Sequence, residues 1–227
     1  MQWMHSIDGY CERLVPGFGA EPFNTLTGLA FLGVGLLAFA RGPAGDDRRA
    51  AAALALVGIA SASQHGFAVV LTVWADIAAN LLYLVLLGVL MLRRLAGAGV
   101  FASCVAAVCG VALVYQVGQS GALRQIFGMA ADMFFILMLG LFSAALALRA
   151  RHPATASRIA LSAAVLAAGL PFRFLDHALC GVWPFGTHGI WHLINAMSAA
   201  LLLSALARHA ADRPRDRPSE RPRALAE

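Results

Sequence analysis

The sequence contains no lysine. All 17 basic residues are arginine, and charged residues of both signs make up only 13% of the 227, about half the share of a soluble domain. That scarcity excludes a solvated globular surface. Arginine- and alanine-rich usage without lysine points to a GC-rich, bacterial genome. The four cysteines, Cys11, Cys104, Cys109 and Cys180, form no CxxC pair, which excludes a cysteine-built zinc cluster. The first residues carry Trp3, His5 and Asp8 rather than a basic start and an apolar run. No cleavable signal peptide is expected there, and the first apolar block is expected to stay in the mature protein. No internal repeat is visible. Alternating apolar and polar residues are also missing, which excludes a membrane barrel.

What is present is apolar sequence in long blocks, 60% of the chain. In hydrocarbon every backbone N–H and C=O must be paired internally, so such blocks are helices. Seven are expected, over about 23–40, 50–71, 75–92, 95–117, 124–148, 157–172 and 188–207, each near the roughly 20 residues that span a bilayer core. The turn between the second and third is placed at Thr72–Trp74. The sixth meets Pro171 and is expected to kink there and continue toward Leu179.

Arginine placement sets the orientation. Arg41, Arg48 and Arg49 follow helix one, Arg93 and Arg94 follow helix three, Arg149, Arg151 and Arg158 follow helix five, and six more run from Arg208 to Arg223. Arg13, Arg124 and Arg173 fall on the other side. The positive-inside rule puts the C-terminus in the cytoplasm and the N-terminus outside. The net charge of +5 is thereby explained as topology, and no nucleic-acid partner is expected. The Arg/Pro/Asp/Glu-rich tail, 209–227, buries no apolar area and is expected to be disordered.

Ionisable groups inside membrane helices are costly, so each asks for a reason. On this topology His65, Asp76, His188, His192 and Asp132 all fall at the outer level of the bundle, and Asp8, Glu12 and Glu21 lie outside too. His188 and His192 stand at i and i+4 and share a helical face. With His65 they supply three nitrogens and leave one tetrahedral position open, the form of a catalytic zinc site. Zinc held this way lowers the pKa of a water ligand to about 7. No HExxH glutamate is present, so Asp76 is the candidate base. Ser61, one turn before His65, is the candidate donor to a developing oxyanion. A proton relay or interhelical hydrogen bonding is the alternative reading of these residues. His5, His152 and His209 sit at or beyond helix ends and read as solvated. Asp176-His177 reads either as an acid orienting an imidazole behind the metal or as a loop pair with Arg173.

Ser61-x-x-x-His65 followed by Asp76, then Asp176, Cys180 and His188-x-x-x-His192, resemble the alkaline ceramidase family. So do Asp8-Gly9-Tyr10-Cys11-Glu12 and Glu21-Pro22-Phe23-Asn24-Thr25. That family belongs to a superfamily of seven-helix hydrolases that includes the progestin and adipoQ receptors. The resemblance implies zinc on His65, His188 and His192, with Ser61 and Asp76 assisting hydrolysis of the ceramide amide to a sphingoid base and a fatty acid. It implies a calcium ion held by Asp8, Glu12 and Glu21, whose oxygens suit calcium. It also implies a Cys11–Cys180 disulfide tying the N-terminal segment over the loop between helices six and seven. The sequence departs from the family where Gly9 replaces a tryptophan, Leu14 replaces an asparagine and Tyr10 is inserted. Asn24-Thr25 also reads as a polar helix cap. Cys104 and Cys109 read as packing residues, Gly28, Gly33 and Gly35 as points of close helix approach, and Phe134-Phe135 as packing or acyl-chain lining.

The expectation is therefore an all-α, seven-helix multipass protein of a bacterial inner membrane, residues 1–208, followed by the tail. Its activity would be zinc-dependent hydrolysis of ceramide or a similar N-acyl lipid taken from the bilayer. Two rivals keep the same scaffold: a lipid receptor without turnover, and a proton-coupled transporter relaying through His65, Asp76 and Asp132.

Overall fold

The computed structural model describes residues 2–13, 15–119, 121 and 133–212. Among them the chain is helical, with one isolated antiparallel bridge between Ser6 and Val69. The long helices are α1 (Pro22–Arg41), α2 (Asp46–Phe67), α3 (Val70–Leu95), α4 (Val100–Gln119), α5 (Met133–Leu148) and α6 (Pro153–Phe174). A single turn, α7 (Asp176–Leu179), precedes α8 (His188–Asp212). Six of these, all but α5 and α7, are long and apolar enough to cross a membrane, and α5 is apolar but shorter over its 16 described residues. The expected start of the fifth helix, with Arg124 and Asp132, lies outside the described residues, as do Leu14 and residues 213–227 of the tail.

Local chemistry sets the helix ends. Pro22 and Pro153 open α1 and α6, where a missing N–H costs nothing. Asp46 and Asp47 sit in the first turn of α2, and Arg41, Arg93 and Arg94 in the last turns of α1 and α3, each matching the helix dipole. Pro171 is accommodated inside α6, which ends at Phe174 before the α7 turn. The α2–α3 turn falls at Ala68–Val69, four residues before its expected place at Thr72–Trp74. Ala68 takes a left-handed conformation (φ 46°, ψ 55°) with its N–H on Gln64 O, and Val69 is extended and pairs with Ser6. Asp76 consequently sits in the second turn of α3. At the other end, α8 runs past the expected boundary at residue 208. His209 is buried in it, with Nδ1 2.9 Å from Thr155 Oγ1, so it is a packing residue rather than a solvated one.

The core mixes small residues with large apolar ones, among them Leu54, Leu90, Ile159, Leu166 and Leu206, while Leu26, Leu36, Leu56, Ile59, Phe101 and Leu113 point outward, an arrangement compatible with a multipass membrane protein. α1 packs on α2 and α8, and α6 packs on α8 and α5. A Cβ on Gly35 would overlap the Ala55 backbone, and one on Gly58 would overlap Leu32, so these two glycines set the α1–α2 distance. Gly28 lies against Ser61, whereas Gly33 faces open space and plays no such part. Ser162 and Ser198 each donate a hydroxyl to the other's carbonyl at 2.9 Å, clasping α6 to α8. α4 is peripheral: it buries Ser103 and Ala107, and Cys104 and Cys109 point outward instead of packing inside.

The end of the bundle away from His65 is held by charge. Arg94 Nη1 lies 2.6 Å from Asp47 Oδ1 and 3.1 Å from Leu206 O, joining α2, α3 and α8. Arg93 and Arg49 both pair with Asp46. Asp47 is 7% exposed and Arg94 16%, so removing one partner leaves a buried charge. Asp47→Asn is expected to lower stability in detergent by about 3 kcal/mol, measured by denaturant unfolding, with metal content unchanged.

Candidate metal centre

Two helices bring the histidines together. His65 lies in the last turn of α2, and His188 and His192 lie in the first two turns of α8. All three are buried, at 1%, 2% and 4% exposure. One nitrogen from each lies within 4.8 Å of the others, and they form the one group of three or more His, Cys, Asp or Glu among the described residues that could hold a metal ion. Two of the rings are oriented from behind. His65 Nδ1 is 2.6 Å from Glu21 Oε2; with Glu21 ionised the carboxylate accepts, so Nδ1–H donates and Nε2 keeps its lone pair. Thr27 Oγ1 donates to Phe23 O at 2.8 Å and sits 3.1 Å from His192 Nδ1, so its oxygen accepts from that ring as well. His188 Nδ1 is buried without a hydrogen-bond partner among the described residues.

The triad opens into a cavity of about 220 Å³ that Ser61, Asp76, Tyr10, Arg173 and Asn195 also line. Both expected assistants are thus at the site. Ser61 is 4% exposed, and its Oγ would lie 2.8 Å from a Cβ placed on Gly28. Asp76 Oδ1 is buried without a hydrogen-bond partner among the described residues. Arg173 is held in the wall by aromatic faces, its Cζ 5.1 Å from the Phe134 ring and 5.7 Å from Trp191. It is a residue of the cavity wall.

Above the triad the N-terminal segment forms a strap. Ile7 N–H donates to Ala68 O at 2.8 Å and Val70 N–H to His5 O at 3.0 Å. His177 Nε2 lies 2.9 Å from Gly9 O. Cys11 is disulfide-bonded to Cys180 across 169 residues, the pairing that the resemblance implied. Asp176, 2% exposed, accepts Cys11 N–H through Oδ2 at 2.9 Å, and Thr187 and His188 N–H through Oδ1 at 2.6 and 2.9 Å. It therefore caps α8 and anchors the strap with one carboxylate, supporting His188 by its backbone rather than by its imidazole. Gly186 makes room for this contact: its φ is +64° and a Cβ would strike Asp176 and Cys11. Tyr10 hangs inward from the strap, its ring centroid 4.0 Å from His188 and 4.9 Å from His65.

Among the described residues, the acids expected to hold calcium do not gather into a group of three candidate ligands. Asp8 is exposed. Glu12 is buried and accepts the Phe23 N–H and, at 2.7 Å, the Asn24 N–H, filling donors that the start of α1 leaves open. Glu21 is committed to His65 and to Asn24 Nδ2 at 3.3 Å, with Arg13 Nη1 4.0 Å from its other oxygen. Burial pushes the Glu12 carboxyl up, opposed by its two backbone hydrogen bonds. Burial pushes Glu21 up to about 7, opposed by Asn24 and Arg13.

Thr27, Tyr10 and Arg173 were not foreseen as site residues, and neither were Asn80 and Asn195. A signal existed for the last two. Asn80 is four residues after Asp76 and Asn195 three after His192, both on the same helical faces as the site, and both line the cavity. Thr27 and Tyr10 carry no such mark. Compared with models of protein families and with curated proteins, the chain matches none.

Two outcomes follow from this geometry. Unfolded, unreduced protein is expected to titrate two thiols, those of Cys104 and Cys109, and four after reduction; four before any reduction would remove the strap's anchor. Millimolar calcium is expected to leave the melting temperature of metal-replete protein unchanged, since Arg13 and the α1 amides already occupy Glu21 and Glu12; a saturable upward shift would show a calcium cage after all.

Proposed function

We propose that this protein is a membrane-embedded, zinc-dependent amidase acting on ceramide or a similar N-acyl lipid, resembling the alkaline ceramidases. The observation that carries this reading is the convergence of three buried imidazoles on one cavity with a carboxylate and a hydroxyl. The donor set suits zinc: three neutral nitrogens, no thiolate and a fourth position open. Nitrogens at about 2.0–2.1 Å from a tetrahedral zinc lie about 3.3 Å apart, a modest closure of the present arrangement.

In this reading the chain crosses the bilayer seven times, α5 included, with the strap outside and the arginine-rich end in the cytoplasm. A site at the outer level suits a lipid substrate, because the reacting amide enters the cavity while its tails remain in hydrocarbon. His65, His188 and His192 would hold the zinc, which when bound supplies a Lewis acid and an activated water. Asp76 takes a proton from the attacking water and returns one to the departing amine. Its unpartnered Oδ1 is the atom available for this. Ser61 donates its hydroxyl to the amide oxygen as charge develops there. Glu21 and Thr27 keep the Nδ1 protons of His65 and His192 in place, so that both rings present Nε2.

Metal content by mass spectrometry tests the reading first, on detergent-purified wild type and on the double variant His188→Ala/His192→Ala. About one zinc per chain is expected in the wild type and none in the variant. With metal present, Asp76→Asn should retain it while lowering kcat on N-acyl lipids by roughly 10²–10⁴-fold. Wild type without metal after metal-replete purification, or carrying metal but hydrolysing no member of an N-acyl lipid panel, would sink the proposal.

A further inference from the structure

We infer that Tyr10 is a catalytic residue that the N-terminal strap delivers to the metal centre, its phenol O–H donating to the amide oxygen as that oxygen takes up negative charge. The inference rests on the amidase reading and deepens it. Tyr10 lines the same cavity as the triad, Ser61 and Asp76, and it is the one described residue before α1 that does so. Its ring lies over His188, 4.0 Å between centroids and 34° between planes, and reaches His65 at 4.9 Å. A side chain so close to two of the three imidazoles stands within reach of any group bound between them.

The way it is held supports a chemical role. The backbone is pinned on both sides of Tyr10. Before it, Ile7 and His5 bond to the α2–α3 turn and Gly9 O takes His177 Nε2. After it come the Cys11–Cys180 disulfide and the Cys11 N–H bond to Asp176. These restraints fix the ring before substrate arrives, which is the preorganisation that makes an oxyanion donor effective. Filling space over the histidines needs only an apolar side chain. A phenol adds one polar group, hydrogen-bonded to the Gln64 side chain of the same cavity wall, and burial pushes its pKa above the ordinary value of about 10, so it keeps its O–H at neutral pH.

The chemistry also has room for a second donor. Ser61 approaches from the α1–α2 contact, against Gly28, whereas Tyr10 descends from the strap, and a developing oxyanion accepts more than one hydrogen bond. Across the hydrolysis the C–N bond breaks and a C–O bond forms. Water supplies oxygen to the acyl carbon and a proton to the amine. Tyr10 keeps its proton throughout, and no bond to it is made or broken.

Tyr10→Phe tests this, since it keeps the ring and removes only the hydroxyl. The expected result is unchanged metal content and melting temperature, with kcat on an N-acyl lipid amide lowered about a hundredfold and KM moved little. Affinity for a palmitoyl phosphonamidate, whose tetrahedral phosphorus carries the anionic oxygen, should fall by more than about tenfold. If kcat and phosphonamidate affinity both stay within about threefold of wild type, Tyr10 is a packing residue and the inference is overturned. Loss of metal or of melting temperature in the variant overturns it too, by showing a structural role. A wild type that holds metal yet hydrolyses no amide overturns the amidase reading itself, and that outcome is separate because the variant is not involved.

Discussion

One buried carboxylate, that of Asp176, ties together the parts that make the site. It accepts three backbone N–H groups, from Cys11, Thr187 and His188. Two of these belong to the start of α8, where a helix leaves its first amides unpaired and favours negative charge. The third belongs to the strap. The first residue of α8 is His188, so the bond that starts the helix also fixes a candidate metal ligand and, one turn on, its partner His192. This bond stands beside the disulfide and the strap's bonds to the α2–α3 turn in holding the segment over the triad. The close fit of Gly186 against both Asp176 and Cys11 shows how little room this junction leaves.

The two ends of the bundle solve the cost of burying charge differently. Away from the site, opposite charges meet directly: Asp47 with Arg94, Asp46 with Arg93 and Arg49. At the site end, carboxylates are spent on N–H groups instead. Glu12 caps α1, Asp176 caps α8 and Glu21 holds His65. Arg13 is the one nearby cation on Glu21. The cavity between these supports keeps imidazole, carboxylate and hydroxyl groups that the scaffold itself does not consume. The rest of the bundle is apolar contact, with leucine, isoleucine and aromatic side chains packed among small residues in the core and further large apolar side chains turned outward.

Much of this was legible in the sequence because helices repeat on a short period. The apolar blocks marked a helical chain and rough helix lengths, six of the helices being long and apolar enough to cross a membrane among the described residues, and i, i+4 spacing placed His188 and His192 on one face. Grouping by depth brought His65, Ser61 and Asp76 to the same level, and all five line one cavity. What was not legible depends on backbone conformation and on partners distant in sequence. The turn at Ala68 needs an alanine in a left-handed conformation, a position that glycine or asparagine would have announced. Glu12 and Glu21 were recognisable as acids outside the helices, but whether an acid faces a cation or a row of amides depends on where the α1 end comes to rest. Thr27 looks like any threonine in an apolar helix, because its meaning lies in a histidine 165 residues away.

With Glu21 ionised and the Thr27 hydroxyl donated to Phe23 O, the tautomers of His65 and His192 bear on the choice between a metal and a proton relay. With Nδ1–H of His65 and His192 donated outward, both rings turn an Nε2 lone pair toward the middle of the triad. A relay needs donors and acceptors in alternation along its path. Here at least two of the three nitrogens in the centre are acceptors, and they face one another in a buried site where unpaired acceptors are expensive. Water can satisfy such a cluster only by donating to each nitrogen separately. A cation satisfies all of them at once, and it does so at the geometry that outward-donated Nδ1 protons enforce. The pair of hydrogen bonds behind the rings, more than the HxxxH spacing in front of them, is therefore what favours a metal at this centre.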